Sequence, residues 1–533
     1  MFVKDNPSGT VSWEHLRNHF FEMQYVKMQE LFNEDKDRIK KFHIRWKDFI
    51  VDFSKNRIND TTLRLLVDFA NEMKLSQGIE ALFNGELINE TEKRSVLHTA
   101  LRDTKNKSAV TEEIKETLFR IKMFSDKVIK GEYRSTSDKP FTDIVNVGIG
   151  GSDLGPKMVV EALGNYRNHL KTHFVSNIDF DAIDELLKKL NPETTLVIVV
   201  SKSFTTKETI ENAILFKNWL IAHKQDVSKH IIAVSTNNNE AQAFGIQEQN
   251  IFPMWDFVGG RFSLWSAVGI SIALSVGYAH FEDLLKGAES MDEHFKQESF
   301  DKNIPVVLAL LSIWYNNFFG FETEVVIPYA NKLTDFPAYL QQVTMESNGK
   351  NIDRAQNPVN YQTGTIVWGE IGTNSQHAFF QLFHQGTKII PVDFIGFINP
   401  FNESDMHDLL MANFFAQSEA LLNGKVGNYA EQPQEDDVNA VYKGFLGNRP
   451  SNTFLIEKLT PESLGKLLAI YEHKTFVQGY LWNIYSFDQF GVEYGKKLAE
   501  SIREEIQNKH IKGHDCSTTF LLENYLKYRK KTL

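Results

Sequence analysis

The pattern of apolar and polar residues changes near residue 140 of this chain of 533 residues. Before that point apolar residues recur at helical spacing, as at Leu63, Leu66, Phe69 and Met73, which predicts amphipathic helices. After it, short apolar runs alternate with amphipathic segments. Such alternation is typical of parallel βαβ units with right-handed crossovers.

The predicted strands form two series on either side of an apolar segment near residues 305–319. The most apolar part of that segment, residues 306–315, is roughly half the ~20 residues that span a bilayer, so we expect a buried helix. The strands of the first series are predicted at residues 144–149, 173–176, 196–201 and 231–235, and those of the second at 324–328, 365–368 and 388–394. We therefore expect an α/β fold with two domains of parallel sheets flanked by helices.

The same pattern predicts the division of the chain. We expect a helical N-terminal region at residues 1–110, a first α/β domain at 111–290, a second at 291–510 and a helical C-terminal tail at 511–533. No strict repeat relates the two α/β domains, so their common architecture is an interpretation of the pattern alone. The polar, acidic residues 426–452 predict a long surface excursion.

Charge and cysteine content narrow the classes of function. The chain has 58 basic and 69 acidic residues and a formal net charge of −11, which argues against general nucleic-acid binding. A small basic pocket for an anion stays compatible with this balance. Cys516 is the only cysteine, so an intramolecular disulfide is excluded and a reducing compartment is favoured. The N-terminus lacks the apolar core of a signal peptide, and we expect a cytoplasmic protein that does not bind membranes.

A glycine-rich segment follows the first predicted strand. Residues 148–156 read Gly-Ile-Gly-Gly-Ser-Asp-Leu-Gly-Pro. Glycines let the backbone approach a ligand, and the next helix would present its N-terminus to an anion. A dinucleotide fingerprint would need glycine where Asp153 stands, and the Lys-Ser/Thr ending of a nucleotide P-loop is missing. The alternative is a tight turn capped by Ser152 or Asp153.

A hydroxyl-rich segment follows the third predicted strand. Residues 201–209 include the four hydroxyls of Ser201, Ser203, Thr205 and Thr206. The alternative is helix capping, because Thr205 and Glu208 have the spacing of a capping box. A cap uses one or two hydroxyls rather than four. Since both segments leave the same edge of a parallel sheet, we expect them to border one crevice that binds a phosphate.

Six segments in order resemble those of the glucose-6-phosphate isomerase family. They are residues 148–156, 201–209, 257–266, 341–350, 369–377 and 488–496. Each alone is weak, whereas the six together are highly specific. The resemblance implies two flavodoxin-like sugar-isomerase (SIS) domains and the reversible conversion of glucose 6-phosphate to fructose 6-phosphate in glycolysis and gluconeogenesis. It implies a homodimer and neither metal nor cofactor.

The resemblance also implies the residues of proton transfer. Glu346 would be the base that moves a proton between two adjacent carbons, and a free glutamate starts ionised at neutral pH. Arg261, preceded by Gly259 and Gly260, would face the negative charge of the enediolate. The alternatives are a solvated helix carboxylate for Glu346 and a loop-holding ion pair with Asp256 for Arg261.

By the same resemblance His377 and Lys496 would open the sugar ring, His377 being supplied by the neighbouring subunit. Imidazole suits proton shuttling because it titrates near neutral pH. The alternatives are a core histidine paired with Asn374 or Glu370, and a solvated helix lysine.

Further residues would bind the substrate. Gln342 and Gln489 match the positions that hold sugar hydroxyls. The remaining predicted binding residues are Gly151, Ser152, Ser201, Lys202, Ser203, Phe204, Thr205, Thr206, Glu208 and Gly260. The chain departs from the common pattern at Ser203, where threonine is usual, and at Lys207, where glutamine is frequent.

Three other functions compete with this prediction. A metal-dependent aldose isomerase would need a cluster of ligands, but there is no His-Glu-x-x-His and the 16 histidines are scattered. A non-catalytic sugar-phosphate sensor would lack the set of Glu346, His377 and Lys496. A Schiff-base aldolase would use Lys202 or Lys496 as nucleophile.

Overall fold

Strands and helices alternate from residue 143 onwards in the computed structural model, which describes residues 4–103, 105, 108–425 and 440–529. The strands are β1 (His43–Trp46), β2 (Phe49–Asp52), β3 (Asp143–Val147), β4 (Lys171–Val175), β5 (Thr195–Val200), β6 (Ile231–Ser235), β7 (Ile251–Pro253), β8 (Thr323–Pro328), β9 (Ile366–Gly369), β10 (Val392–Asn399) and β11 (Ser451–Lys458). The α-helices up to Ser486 are α1 (Val11–Met23), α2 (Met28–Glu34), α3 (Arg38–Lys41), α4 (Asp60–Glu72), α5 (Leu75–Phe83), α6 (Ala109–Ile129), α7 (Leu154–Ala162), α8 (Phe180–Lys189), α9 (Lys207–Ala222), α10 (Val227–His230), α11 (Asn238–Ala243), α12 (Ile270–Val276), α13 (Tyr278–Gln297), α14 (Ile304–Ile313), α15 (Phe336–Gln341), α16 (Asn374–Ala378), α17 (Phe380–Gln385), α18 (Asp405–Asn423) and α19 (Pro461–Leu481).

The first sheet is parallel throughout, with the strand order β4-β3-β5-β6-β7. Every residue of β5 is buried, as expected of a strand covered by helices on both faces. Counted from β3, the order is 2-1-3-4-5, so the direction of the crossovers changes between β3 and β5. Ligands of such sheets bind beyond the carboxyl ends of the strands at this switch point. The segments that follow β3 and β5 therefore border one crevice.

The second sheet has the order β1-β2-β11-β10-β8-β9. Its strands β8 to β11 pair in parallel, and β2 pairs antiparallel with both β1 and β11. Counted from β8, the parallel strands follow the order 2-1-3-4, as the first four strands of the first sheet do. The two sheets therefore share this part of their strand order, in line with the expected similarity in architecture.

The predicted fold class of parallel sheets flanked by helices is confirmed, and the differences concern short strands. The region expected to be helical up to residue 110 contains the hairpin of β1 and β2, and β7 and β11 were not predicted either. Each strand of the hairpin has only four residues of mixed burial, so pairing with β11 stabilises it rather than a local apolar run.

The predicted boundary between residues 290 and 291 falls within α13, and the four domain bounds stay a prediction. Residues 426–439 of the predicted surface excursion lie outside the described residues, and Ser451 already belongs to β11.

Two helices of the second half are buried along nearly their whole length. All residues of α14 are buried, which confirms the buried helix predicted there. Helix α19 is buried although it carries charged residues, because these are paired. Its Glu472 accepts from Arg102 Nη1 at 2.7 Å and from Trp265 Nε1 at 2.8 Å. Within the described residues, no helix combines the length and hydropathy that a membrane span requires.

Residues Phe487–Leu533 form a second compact unit, separate from Met1–Ser486. It contains α20 (Glu493–Asn508) and α21 (Cys516–Tyr528). Glu505 near the end of α20 accepts hydrogen bonds from the backbone N of Lys512 and from Nε2 of His514. Asp515 then caps α21 by accepting from the first backbone N–H groups of that helix.

Candidate active site

The glycine-rich loop after β3 lies against the loop that carries Arg261. A Cβ atom on Gly151 would be 2.0 Å from the carbonyl O of Gly260, so no other residue fits there. Gly150 has a positive φ of 63°, which glycine adopts without strain. The Nδ2 of Asn146 donates to the carbonyl O of Ser152 at 3.0 Å and holds the loop to its strand.

The hydroxyl-rich loop after β5 does not use its side chains to cap the next helix. The N-cap residue of α9 is Thr206, which makes no side-chain capping hydrogen bond, so the capping box of Thr205 and Glu208 considered above is not formed. Instead Ser203 Oγ lies 2.7 Å from Thr205 Oγ1, and Ser201 Oγ donates to Thr206 Oγ1 at 3.2 Å. The hydroxyls are therefore gathered beside the N-terminus of α9, where an anion is stabilised.

Two residues predicted to bind substrate have side chains engaged elsewhere. The side chain of Phe204 is buried in the apolar core of the first sheet and contacts Phe244. The Nζ of Lys202 donates to the carbonyl O atoms of Asp256 and Val258, both at 3.2 Å. Burial lowers the pKa of Lys202, and the Asp256 carboxylate, 3.5 Å away, opposes this effect. Lys202 thus ties its loop to the chain leading to Arg261.

Arg261 is buried, with 3% of the residue exposed, and its guanidinium faces Glu346. Its Nη1 lies 3.5 Å from Glu346 Oε2. Its Nε donates to Ser347 Oγ at 2.7 Å, and its Nη2 donates to the carbonyl O of Ser486 at 2.5 Å. The planar guanidinium is thereby held in one orientation beside the carboxylate.

Glu346 ends a π-helical turn, Gln342–Glu346, which continues α15. Such turns often occur at functional sites. The side chain of Glu346 is 22% exposed, so a ligand can reach it. Gln342, at the start of the turn, has its Nε2 only 3.1 Å from where a Cβ of Gly150 would be. The start of the turn therefore adjoins the loop after β3, through Gln342, and its end adjoins the loop that carries Arg261, through Glu346. Glu346 is thus not a remote helix carboxylate.

The structure places the remaining residues that the sequence singled out on helices and in the second unit. His377 is on α16 and is exposed, which excludes a core histidine. Gln489 and Lys496 belong to the second unit, where Lys496 is on α20. Glu208 is in the first turn of α9, and Lys207 is the first residue of that helix. The roles of His377, Gln489, Lys496 and Glu208 stay predictions.

Two residues that hold Arg261 in place were not revealed by sequence patterns. They are Ser347 and Ser486. Ser486 is 225 positions from Arg261 along the chain, and it contributes its backbone carbonyl, which any residue type could supply. Ser347 lies within a recognised motif, but a serine on a helical turn is by itself no signal. Within the described residues, no group of three or more His, Cys, Asp or Glu side chains could hold a metal ion.

Asp153 is a third residue whose chemistry the sequence did not reveal. It follows Ser152 in the loop after β3 and is only 6% exposed. Burial raises its pKa to about 6, with Asp335 adding to the rise and Lys157 opposing it. Its Oδ1 has no hydrogen-bond partner within the described residues. The loop thus carries a carboxyl group that ionises at a higher pH than a free aspartate does.

One parallel sheet, one mixed sheet and a carboxylate–arginine pair beside the glycine-rich loop are features expected of an α/β isomerase of sugar phosphates. The family model described as phosphoglucose isomerase matches residues 52–522. The chain is 55% identical over 539 aligned residues to a protein of Christiangramia forsetii named glucose-6-phosphate isomerase, covering 98% of this chain and 99% of the relative. The chain therefore belongs to the phosphoglucose isomerase family, as the sequence motifs predicted.

Solved structures agree with this assignment. A glucose-6-phosphate isomerase from Chlamydia trachomatis is 33% identical, with a TM-score of 0.88 over 98% of this chain and all of that one. A protein of Thermus thermophilus described as hypothetical is 24% identical, with a TM-score of 0.66 over 85% of this chain and 98% of that one, and shows the fold alone.

Proposed function

We propose that this protein catalyses the reversible isomerisation of D-glucose 6-phosphate to D-fructose 6-phosphate, in glycolysis and gluconeogenesis. The observation that carries the proposal is the separation of 3.5 Å between Arg261 Nη1 and Glu346 Oε2, beside the glycine loop after β3. A base and a fixed positive charge at one point are what the removal of a proton next to a carbonyl group requires. The name of the relative from Christiangramia forsetii supports this substrate.

The phosphate group is bound at the switch point of the first sheet. The hydroxyls of Ser201, Ser203, Thr205 and Thr206 and the N-terminus of α9 offer neutral donors there. Lys202 neutralises part of the negative charge of the phosphate. Its ammonium group is held near the loop by backbone carbonyls of the neighbouring segment. Neutral donors can orient a phosphate while still allowing the product to leave.

Glu346 transfers the proton between the two carbons. Its carboxylate removes the proton from C2 of the open-chain aldose, the C1–C2 double bond forms, and the former carbonyl oxygen at C1 becomes negatively charged. Arg261 stabilises that charge. Glu346 then delivers the proton to C1, while the proton of the C2 hydroxyl passes to the negatively charged oxygen at C1, so that C2 becomes the carbonyl carbon of the ketose and C1 its hydroxymethyl group. Gln342, beside Gly150, hydrogen-bonds the sugar hydroxyls together with Gln489.

Ring opening requires a further acid and base, which we assign to His377 and Lys496. His377 acts in the active site of the neighbouring subunit of a homodimer, and its exposed position on α16 is compatible with that role. The reaction needs neither metal nor cofactor, because a carboxylate and a guanidinium supply the base and the stabilising charge. We place the enzyme in the cytoplasm.

The decisive experiment replaces the base. In Glu346→Gln the side chain keeps its shape but cannot accept the proton, so turnover of fructose 6-phosphate in a coupled assay falls by about 10²–10⁴-fold. Binding of fructose 6-phosphate, measured by calorimetry, persists. The control is Glu282→Gln, which changes an exposed glutamate on α13 and leaves turnover unchanged. Turnover of Glu346→Gln within a few-fold of the control would refute the proposal.

A further inference from the structure

The buried side chain of Asn348 joins the turn of Glu346 to helix α19 and to Ser486. Its Nδ2 donates to the carbonyl O of Thr475 at 3.0 Å, and its Oδ1 accepts from Ser486 Oγ at 2.8 Å. A carbonyl oxygen can only accept a hydrogen bond, so Thr475 determines which end of the amide is the nitrogen. The amide therefore has one orientation, and both of its ends are satisfied.

Two residues next to Asn348 hydrogen-bond the guanidinium of Arg261: its hydrogen-bond partner Ser486 and its chain neighbour Ser347. Ser486 donates its hydroxyl to Asn348 and accepts from Arg261 Nη2 with its carbonyl O. Ser347, next to Asn348 in the chain, accepts from Arg261 Nε. A displacement of Asn348 therefore moves two of the groups that orient Arg261. Because Glu346 is two residues earlier, the same displacement moves the carboxylate.

Helix α19 gives Asn348 a rigid anchor. The helix is buried along nearly its whole length, and Glu472, one turn before Thr475, is held by Arg102 and Trp265. The hydroxyl of Thr475 lies 3.4 Å from that of Thr344, which belongs to the same π-helical turn as Glu346. The turn is thus attached to α19 on both sides of Glu346.

Gly479 provides independent evidence that this arrangement is built into the fold. A Cβ at this position would lie 1.8 Å from Ser486 Oγ and 2.7 Å from Asn348 Oδ1. Real Cβ atoms do not approach so closely, and Gly479 is in the last turn of α19, where alanine would favour the helix by about 1 kcal/mol. The helix thus has glycine, despite its lower helix propensity, at the position where a side chain would collide with the hydrogen bond between Ser486 and Asn348.

We propose that Asn348 is a positioning residue that, through Ser486 and Thr475, keeps Arg261 and Glu346 at the separation that proton transfer requires. This inference rests on the proposed function, because it presumes that these two residues act on the substrate. Asn348 itself does not touch the substrate. Its effect is on the geometry of the transition state, to which rates are sensitive even for displacements of about 1 Å.

The test is Ser486→Ala, which removes the hydroxyl bound to Asn348 and retains the carbonyl that binds Arg261. The matched control is Ser312→Ala, because the buried hydroxyl of Ser312 accepts from Gln478 Nε2 of the same helix, at 2.6 Å. Each variant loses one buried hydrogen bond: Ser486→Ala loses the bond to Asn348, and Ser312→Ala loses the bond from Gln478. We therefore expect similar decreases in Tm. We expect Ser486→Ala to lower kcat about 10-fold with KM within about 2-fold, and Ser312→Ala to retain the wild-type kcat.

A second variant tests whether the two residues act together. Asn348→Ala should lower kcat at least as much, and adding Ser486→Ala to it should cause no further loss, since both remove one shared hydrogen bond. If Asn348→Ala does not fold, the comparison of Ser486→Ala with Ser312→Ala decides alone. A wild-type kcat in Ser486→Ala, or an equal loss in Ser312→Ala, would overturn the inference. Turnover by Glu346→Gln would instead overturn the proposed function, so the two failures are distinguishable.

Discussion

Arg261 illustrates how a charged side chain can be both buried and useful. Removing a guanidinium from water costs several kcal/mol unless its donors are satisfied and an opposite charge lies close by. Ser347 and the carbonyl O of Ser486 satisfy two donors, and the carboxylate of Glu346 provides the charge. The partly exposed Glu346 is left facing the solvent side, so a substrate can reach the carboxylate while the guanidinium stays fixed.

Asp153 provides a prediction about stability at the scale of one residue. Its pKa is raised from 3.8 to about 6, chiefly because burial disfavours the carboxylate. Below both values the folded and unfolded states are equally protonated. As the pH rises from about 4 to about 6, the unfolded state ionises first, so the raised pKa lowers the stability of the folded protein. A shift of this size corresponds to roughly 3 kcal/mol.

Replacing Asp153 with asparagine should remove that loss. We expect the Tm of Asp153→Asn, relative to that of the wild type, to rise between about pH 4.5 and about pH 7.5, as measured by thermal unfolding. Other titrating groups are shared by both proteins and cancel in the difference. The control is Asp138→Asn, at a position whose side chain is 89% exposed, for which we expect little change in Tm. A pH-independent difference for Asp153→Asn would show that burial does not shift this group.

At the scale of elements, the start of α9 distinguishes ligand binding from helix capping. Thr206 is the N-cap residue but makes no capping hydrogen bond with its side chain. Thr206→Val retains the branched shape and loses only the hydroxyl. If the hydroxyl binds the phosphate, KM for fructose 6-phosphate rises about 10-fold or more while kcat stays within about 3-fold, because the interaction exists in both ground and transition states. Steady-state kinetics in the coupled assay measures both constants.

The matched control is another N-cap threonine. Thr460 caps α19 by accepting from the backbone N of Ser463 at 3.1 Å. Thr460→Val should lower Tm, since an N-cap contributes about 1 kcal/mol, and leave KM unchanged. The reverse pattern, with Thr206→Val affecting Tm alone, would assign the hydroxyl of Thr206 to its hydrogen bond with Ser201 in the loop and not to the substrate.

The sequence predicted well the elements that are stabilised by their own residues, and predicted poorly those that depend on residues far away in the chain. Strand β5 has six consecutive buried residues and was expected at nearly the same bounds, whereas the hairpin of β1 and β2 depends on the pairing of β2 with β11, about 400 positions later. The site follows the same rule. Glu346 and Arg261 lie in motifs with local sequence signals, but the carbonyl of Ser486 that orients Arg261 is brought there only by the tertiary fold.

At the scale of the whole molecule, the proposed homodimer makes the active site a property of two chains. Each site would combine Glu346 of one subunit with His377 of the other, because the family resemblance assigns the histidine to the neighbouring subunit. The exposure of His377 in the single chain fits this arrangement. Its consequence is that two inactive variants can complement each other, which no arrangement within one subunit allows.

We therefore expect activity in a heterodimer of Glu346→Gln and His377→Ala, isolated by different affinity tags on the two chains. By twofold symmetry, one of its sites carries both substitutions and the other carries neither, so turnover should be about half that of the wild-type dimer. A heterodimer of Glu346→Gln with wild type is the control and should also have about half. If His377 acted in its own subunit, each site of the complementing pair would carry one substitution and turnover would be lost. If no heterodimer could be isolated, the homodimer itself would be refuted.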